Sequence, residues 1–265
     1  MYVRPLTAAL VAAVLAPAAA APIFAPAGAA RPQQVTSQVQ TPAAGAMTPE
    51  EIIAVLRRPE NSTGNIADGV EAATGGRGWM SADMKPIGDR KIVGRAWTAT
   101  LRPVLKGDDR TYPNYQLQIL DEAPAGSVLV YVLEGALEIA GMGNLMATAA
   151  HVRGLEGTVI DGAVRDVGEI RGIGHQVFAR RVSPATSVGR LVSVSRQTPV
   201  RCADVMVHPG DYIVGDLDGV VVVPAAAAEK VVALLKDYDA RESKMIEIIK
   251  QERSMLKALE IYGRY

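Results

Sequence analysis

Between Gly141 and Asp166 the chain sets a glycine pair, an Ala-rich run, a wholly apolar stretch and an arginine–aspartate pair in direct succession. Few folds accommodate that order. Asn144 follows Gly141-Met142-Gly143 and precedes the helical run Leu145 to Val152, so it reads as an N-cap whose neighbours present free backbone N–H groups. Such a helix end attracts anions. The run Gly157 to Ile160 suits a buried strand, and Asp161-Gly162 reads as a tight turn that delivers Arg165 and Asp166 side by side. A guanidinium fork for a carboxylate then stands next to a hard oxygen ligand.

The flanking sequence supplies the layers around this span. Thr48-Pro49-Glu50-Glu51 combines an N-cap, a proline at the first helical position and acidic first-turn residues, and Ile52, Ile53, Val55 and Leu56 add an apolar stripe before Pro59 ends the helix. A second helix is expected around Ile66 to Ala73, bounded by Gly75-Gly76. Lys91 to Val104, Tyr115 to Leu120 and Ser127 to Leu133 are β-prone. Short strands follow near 157–160, 176–180 and 190–194, spaced by loops rather than long helices. Val205 to Pro224 holds two turns and the strands Tyr212 to Val214 and Val220 to Val223, and reads as scaffold. The fold class is therefore α/β, a mixed β/β/α layered domain.

Ala225 to Leu259 is expected to be a long charged helix, broken at most once, with Val231, Val232, Leu235, Tyr238, Met245 and Ile249 among its apolar positions. Such a stripe needs a partner, either the parent domain or another subunit.

At the other end, Arg4, the apolar run Leu6 to Ala16 and the small residues around Ala18-Ala19-Ala20 have the layout of a secretory signal, so residues 1–30 are read as one, with cleavage after Ala20 or after Ala30. The expected location is periplasmic or secreted; a disordered Ala/Pro extension on a cytoplasmic protein is the alternative. The apolar run falls short of the roughly 20 residues a membrane helix needs, so no membrane insertion of the mature chain is expected. Residues 31–47 lack apolar periodicity and form a flexible linker, leaving 48–265 as the folded domain. Basic and acidic residues balance at 28 each, which offers no global attraction for nucleic acid. With Cys202 alone, an intramolecular disulfide and a Cys-rich zinc site are both excluded.

Several ordered blocks carry a family resemblance: Gly143-Asn-Leu-Met-Ala-Thr-Ala-Ala150, Gly157-Thr-Val-Ile-Asp-Gly-Ala-Val-Arg-Asp166, Val177-Phe-Ala-Arg180 and the segment from Pro209 to Pro224. A weaker Val93-Gly94-Arg95-Ala96-Trp97-Thr98 segment extends it. Together they resemble the RraA-like family, which includes the class II 4-hydroxy-4-methyl-2-oxoglutarate aldolases. The resemblance implies an RraA-like layered β/β/α swivelling domain with flanking N-terminal helices and a long C-terminal oligomerisation helix, assembled as a homotrimer or hexamer. It implies that the amides of Gly143, Asn144, Leu145 and Met146, with Arg165, hold the pyruvyl group of a small 2-oxo acid, and that Asp166 anchors a divalent metal, Mg²⁺ or Mn²⁺. The implied activity is aldol cleavage to pyruvate, with oxaloacetate decarboxylation as a further outcome of the same enolate. Many catalytic relatives carry Asp or Glu where this chain has Asn144, a departure that weakens the water network around the metal. The aldolases also take a carboxylate from a neighbouring subunit's C-terminal helix, for which Glu242 and Glu247 are candidates. The alternative is a non-catalytic binding protein resembling the regulator of RNase E activity.

Other chemistry-bearing residues fit simpler roles. His151, His175 and His208 lie in unrelated segments without metal-ligand spacing, although His175, close behind the proposed site, is a candidate for tuning substrate choice. Cys202 reads as a packing residue. The aspartates of 211–218 lack the ligand spacing of a calcium loop and read as turn formers. Neither a Gly-x-Ser-x-Gly elbow nor a full dinucleotide fingerprint is present.

Overall fold

A computed structural model describes residues 46–262. The expectations for 1–30 and most of 31–47 fall outside the described residues. The elements run α1 (Pro49–Leu56), α2 (Thr63–Thr74), β1 (Lys85–Pro86), β2 (Ile92–Pro103), α3 (Tyr115–Glu122), β3 (Val128–Leu133), β4 (Ala140–Met142) and α4 (Asn144–Val152). Then come β5 (Gly157–Val164), α5 (Val167–Ile173), β6 (Val177–Val182), β7 (Leu191–Arg196), the hairpin β8 (Val200–Cys202) and β9 (Val205–Val207), β10 (Tyr212–Gly215), β11 (Val220–Val223), α6 (Ala228–Glu252) and α7 (Met255–Tyr262). Among the described residues no helix is long and apolar enough to cross a membrane.

A nine-stranded mixed sheet runs in the order β1-β6-β5-β3-β2-β10-β11, with β4 added to β5 and β7 to β2. Its centre is parallel: β2 with β3, β3 with β5, and β5 with β6. Strand β3 shows why this arrangement is stable. All six of its residues are buried, and they alternate between two cores: Leu129, Tyr131 and Leu133 join the helices on one face, while Val128, Val130 and Val132 meet β8, β9 and β11 on the other. Period-two alternation with both faces apolar is what a sheet covered on both sides requires. A third core forms where α1, α2 and α6 cover the other faces of β10 and β11, through Tyr212, Val214, Val221 and Val223.

Three sequence expectations change. Tyr115 to Leu120 is helix α3 rather than a strand. Parallel β2 and β3 demand a crossover, the Asn114 side chain caps the helix by accepting from Leu117 N at 3.4 Å, and Gln116, Ile119 and Leu120 share its buried face. For the same reason β5 reaches β6 through helix α5, not through a loop. Asp161-Gly162 is no turn either, because β5 runs unbroken to Val164. Asp161 is a mid-strand residue that binds Arg180 Nη1 at 3.0 Å and accepts from Ala203 N at 2.8 Å. Gly162 is required by packing: a Cβ there would lie 2.3 Å from Leu133 Cδ1.

The caps of α1 agree with the sequence in detail, since Thr48 Oγ1 accepts from Glu51 N while Glu51 Oε2 accepts from Thr48 N. The C-terminal helix breaks once, between α6 and α7, at left-handed Arg253.

His175 lies at the opposite end of the parallel strands from Arg165, just before β6, so the expectation that it sits close behind the site is corrected. It is 3% exposed and pairs with Thr158 Oγ1 at 3.0 Å, while Nδ1 has no hydrogen-bond partner among the described residues. Burial, reinforced by the charges of Arg90 and His151, lowers its pKa from 6.5 to about 4. The unfolded chain therefore takes up a proton that the folded chain refuses until the pH reaches about 4. The contribution of His175 to stability is fully present above pH 6.5 and is lost as the pH falls through that window, by about 3 kcal/mol in all. Urea midpoints should drop steeply between neutral pH and pH ~4, and His175→Gln should flatten that drop; equal slopes would remove His175 from the cause.

Candidate active site

The parallel strands end together, and the candidate residues gather at their C-terminal ends, where ligands bind in open α/β sheets. Strand β4 stops at Met142 and the chain turns into α4 through Gly143, which is extended at φ −134° and ψ −169° and makes no side-chain cap. Asn144 is thus the first helical residue rather than the N-cap. Its own N–H is satisfied from elsewhere, by Asp166 Oδ2 at 3.0 Å. The other first-turn amides, those of Leu145 and Met146, have no acceptor within the helix, and both residues line an adjoining cavity.

Arg165 and Asp166 follow the end of β5. Asp166 is left-handed at φ 58°, ψ 39° and occupies the N-cap position of α5, yet its carboxylate caps α4 instead of its own helix. A non-glycine residue in that conformation costs on the order of 1 kcal/mol, least for Asp and Asn, and persists only where the surroundings impose it. Arg165 Nε stands 3.5 Å from Asp166 Oδ2, a loose contact. The terminal guanidinium nitrogens have no protein acceptor among the described residues, so the fork is open to a ligand. Side-chain exposures of 40% for Arg165 and 30% for Asp166 leave both accessible.

Gly143 is what lets these groups meet. A Cβ there would fall 2.5 Å from Asp166 Oδ2 and 2.9 Å from Arg165 Nε, although the backbone angles suit any residue. Buried Gln116 on α3 also shapes the turn, donating its side-chain amide to the Gly141 carbonyl, and its N–H meets Ser193 Oγ at 3.3 Å. Neither contact was legible in the sequence, because Tyr115 to Leu120 read as strand. The only available signal was Asn114 as a helix cap.

The cavity, of about 690 Å³, opens beside this turn, between α3, α4, β7 and the 186–188 segment. Gly143, Asn144, Leu145, Met146 and Arg165 line one end. Asp166 is not itself part of the wall but is bonded to it through Asn144 N–H. Leu145 and Val188, each 80% exposed, stand on its rim.

The residues fit a hard divalent cation. Asp166 commits Oδ2 to Asn144 and Arg165, while Oδ1 has no protein partner among the described residues. No group of three or more His, Cys, Asp or Glu could hold a metal among the described residues. One carboxylate completed by water and ligand oxygens suits Mg²⁺ or Mn²⁺, which keep waters, and not a structural zinc. Of the two C-terminal candidates, Glu242 Oε2 accepts from Asn65 Nδ2 of the same chain at 2.9 Å, whereas Glu247 is exposed. Neither lines the cavity of its own chain. Cys202 is fully buried in the opposite core, and burial raises its thiol pKa.

The family model described as RraA-like, Aldolase/RraA, matches residues 63–222. A protein of Halalkalibacterium halodurans, provisionally named a 4-hydroxy-4-methyl-2-oxoglutarate aldolase, is 29% identical over 203 residues, covering 73% of this chain and 89% of the relative. Among solved structures, an uncharacterized protein from Pseudomonas syringae superposes with a TM-score of 0.70 at 25% identity, over 80% of this chain and 98% of that one. Streptomyces coelicolor RraAS2, described as an unusual member of the RNase ES inhibitor RraA protein family, gives 0.66 at 24% identity over 75% of this chain and 96% of its own, a likeness of fold.

Proposed function

This chain belongs to the RraA-like family, and from that premise we propose that it is a divalent-cation-dependent carbon–carbon lyase that cleaves a 4-hydroxy-2-oxo acid to pyruvate. One observation carries the reading: a strained aspartate, an open guanidinium and the N-terminal amides of α4 converge on one turn beside a cavity. The aldolase name of the Halalkalibacterium relative supports the same class.

Arg165 binds the substrate carboxylate through its free nitrogens, and the amides of Leu145 and Met146 add hydrogen bonds to the same head group. Asp166 would hold Mg²⁺ or Mn²⁺ through Oδ1, with Oδ2 fixed by Asn144 N–H. Bound there, such a cation would supply Lewis acidity toward the keto oxygen. Scission between C3 and C4 would leave the electron pair on the pyruvyl fragment as an enolate while the 4-hydroxyl passes its proton to solvent and becomes a carbonyl, and a proton taken back from solvent at C3 would release pyruvate. Preorganised amides and the guanidinium stabilise that developing charge without a protein nucleophile. Decarboxylation of an oxaloacetate-like acid would pass through the same enolate.

We place assembly, as a trimer or hexamer, on the C-terminal helices, where Ile246, Met255, Leu256 and Ile261 are exposed and Glu247 is free to reach a neighbour. Export accords with the reading of residues 1–30. Coupled to lactate dehydrogenase, purified protein with Mn²⁺ should release pyruvate from 4-hydroxy-2-oxo acids, and EDTA should stop it. Turnover unaffected by EDTA would overturn metal dependence; no turnover on any such acid would return the chain to a binding role.

A further inference from the structure

We propose that Gln116 is a positioning residue for the lyase: through the Gly141 carbonyl, its side-chain amide sets both halves of the grip on the substrate carboxylate, the α4 amides and Arg165. This rests on the reading of that grip in the proposed function.

Strand β4 needs such a brace. It has three residues, Ala140 to Met142, and its pairing with β5 shifts register between Ala140 and Met142. Gly141 lies at that irregularity, and its carbonyl accepts from Gln116 Nε2. The site follows directly from β4. The Met142 carbonyl accepts from Arg165 N at 3.1 Å, and the next residue, Gly143, opens the turn into α4. A shift of β4 therefore carries the backbone of Arg165 and the first turn of α4 with it, and a misplacement of about 1 Å can cost a preorganised site about 10²-fold.

Gln116 is held firmly enough to set a position. The residue is 6% exposed. Its N–H, which has no acceptor inside α3, meets Ser193 Oγ of β7 at 3.3 Å, and its carbonyl accepts from Tyr131 Oη of β3 at 3.1 Å. Only the NH₂ end of a carboxamide can face a carbonyl oxygen, so Gly141 O also fixes which way the side chain turns. All three contacts are internal to one chain, and the brace does not depend on what a neighbouring copy adds to the cavity.

Calorimetry with pyruvate in the presence of Mn²⁺ tests this on wild type, Gln116→Met and Gln116→Glu, at about pH 8 and about pH 5.5. Methionine fills a similar space without a donor and should weaken pyruvate binding about tenfold at both pH values. Glutamate keeps the shape. Ionised, it offers Gly141 O only acceptors and should weaken pyruvate binding as much; burial raises the pKa of such a carboxyl, so at the lower pH its O–H donates again and most of the lost affinity should return. Mn²⁺ affinity without pyruvate should change little in either variant, because Asp166 is carried by β5. Wild-type pyruvate affinity in Gln116→Met would overturn the proposal, as would a Gln116→Glu deficit equal at both pH values; the second result decides alone if Gln116→Met does not fold. A Gln116→Glu protein that tightens Mn²⁺ while it weakens pyruvate would also overturn it, since its charge would then act directly, and so would an equal loss of both ligands. If wild-type protein binds no pyruvate, the carboxylate grip itself falls and the brace has nothing to position.

Discussion

Replacing Asp166 by Asn should lower pyruvate release by about 10³-fold or more, on the order of 4 kcal/mol of lost transition-state stabilisation, and should abolish Mn²⁺ binding in titration calorimetry. The substitution is conservative in every respect but charge. Asn tolerates the left-handed conformation that Asp166 adopts, and its side-chain oxygen can still accept from Asn144 N. Thermal stability should stay within about 1 kcal/mol of wild type, since no buried apolar contact is lost. Gly143→Ala approaches the same group from the other side: its added methyl cannot coexist with Asp166 Oδ2 and Arg165 Nε in their present places, yet it strains no backbone angle. It should reproduce the loss of Mn²⁺ affinity in a folded protein. Wild-type cation affinity in Asp166→Asn would remove this residue from the metal site.

Arg165→Lys should leave a different signature. Lysine keeps the charge but replaces a planar fork with a point donor, so the apparent affinity for pyruvate and for the substrate should fall by about 10²-fold, within the range expected for losing one or two charge-assisted hydrogen bonds. Mn²⁺ binding without substrate should change little, because Nε lies 3.5 Å from Asp166 Oδ2 and contributes only a weak contact. The two variants therefore separate cation from carboxylate. Their effects should not add, since the residues are adjacent and act on one bound molecule. An Arg165→Lys protein with unchanged pyruvate affinity would assign the carboxylate to the α4 amides alone.

Much of the scaffold could be read in the letters because local rules and tertiary packing agree there. Thr48 and Glu51 close the capping box that their spacing implies, Val128 to Leu133 alternates between two cores as its composition demands, and Tyr212 to Gly215 pairs with Val220 to Val223 across the expected turn. The residues gathered at the α4 turn could also be picked out as a group, yet the way they meet could not. Asn144 has the side chain of an N-cap, but its N–H is taken by a carboxylate 22 residues later, which moves the cap to Gly143. Asp161-Gly162 has the letters of a turn, and cross-strand pairing with β3 and β6 holds it in a strand. Tyr115 to Leu120 has strand-forming residues, and the parallel pairing of β2 with β3 makes it the crossover helix whose Gln116 braces Gly141.

By itself, then, the sequence determined the apolar periodicities and the capping of α1, and it singled out the residues with the chemistry to bind a carboxylate or a cation. Those properties depend on neighbours a few positions away, so they are written locally. The tertiary structure alone decided that Asp166 turns from its own helix to α4 and that Gly143 is small because two side chains approach it. Each of these is a contact between segments distant along the chain, settled only when the sheet brings the strand ends together.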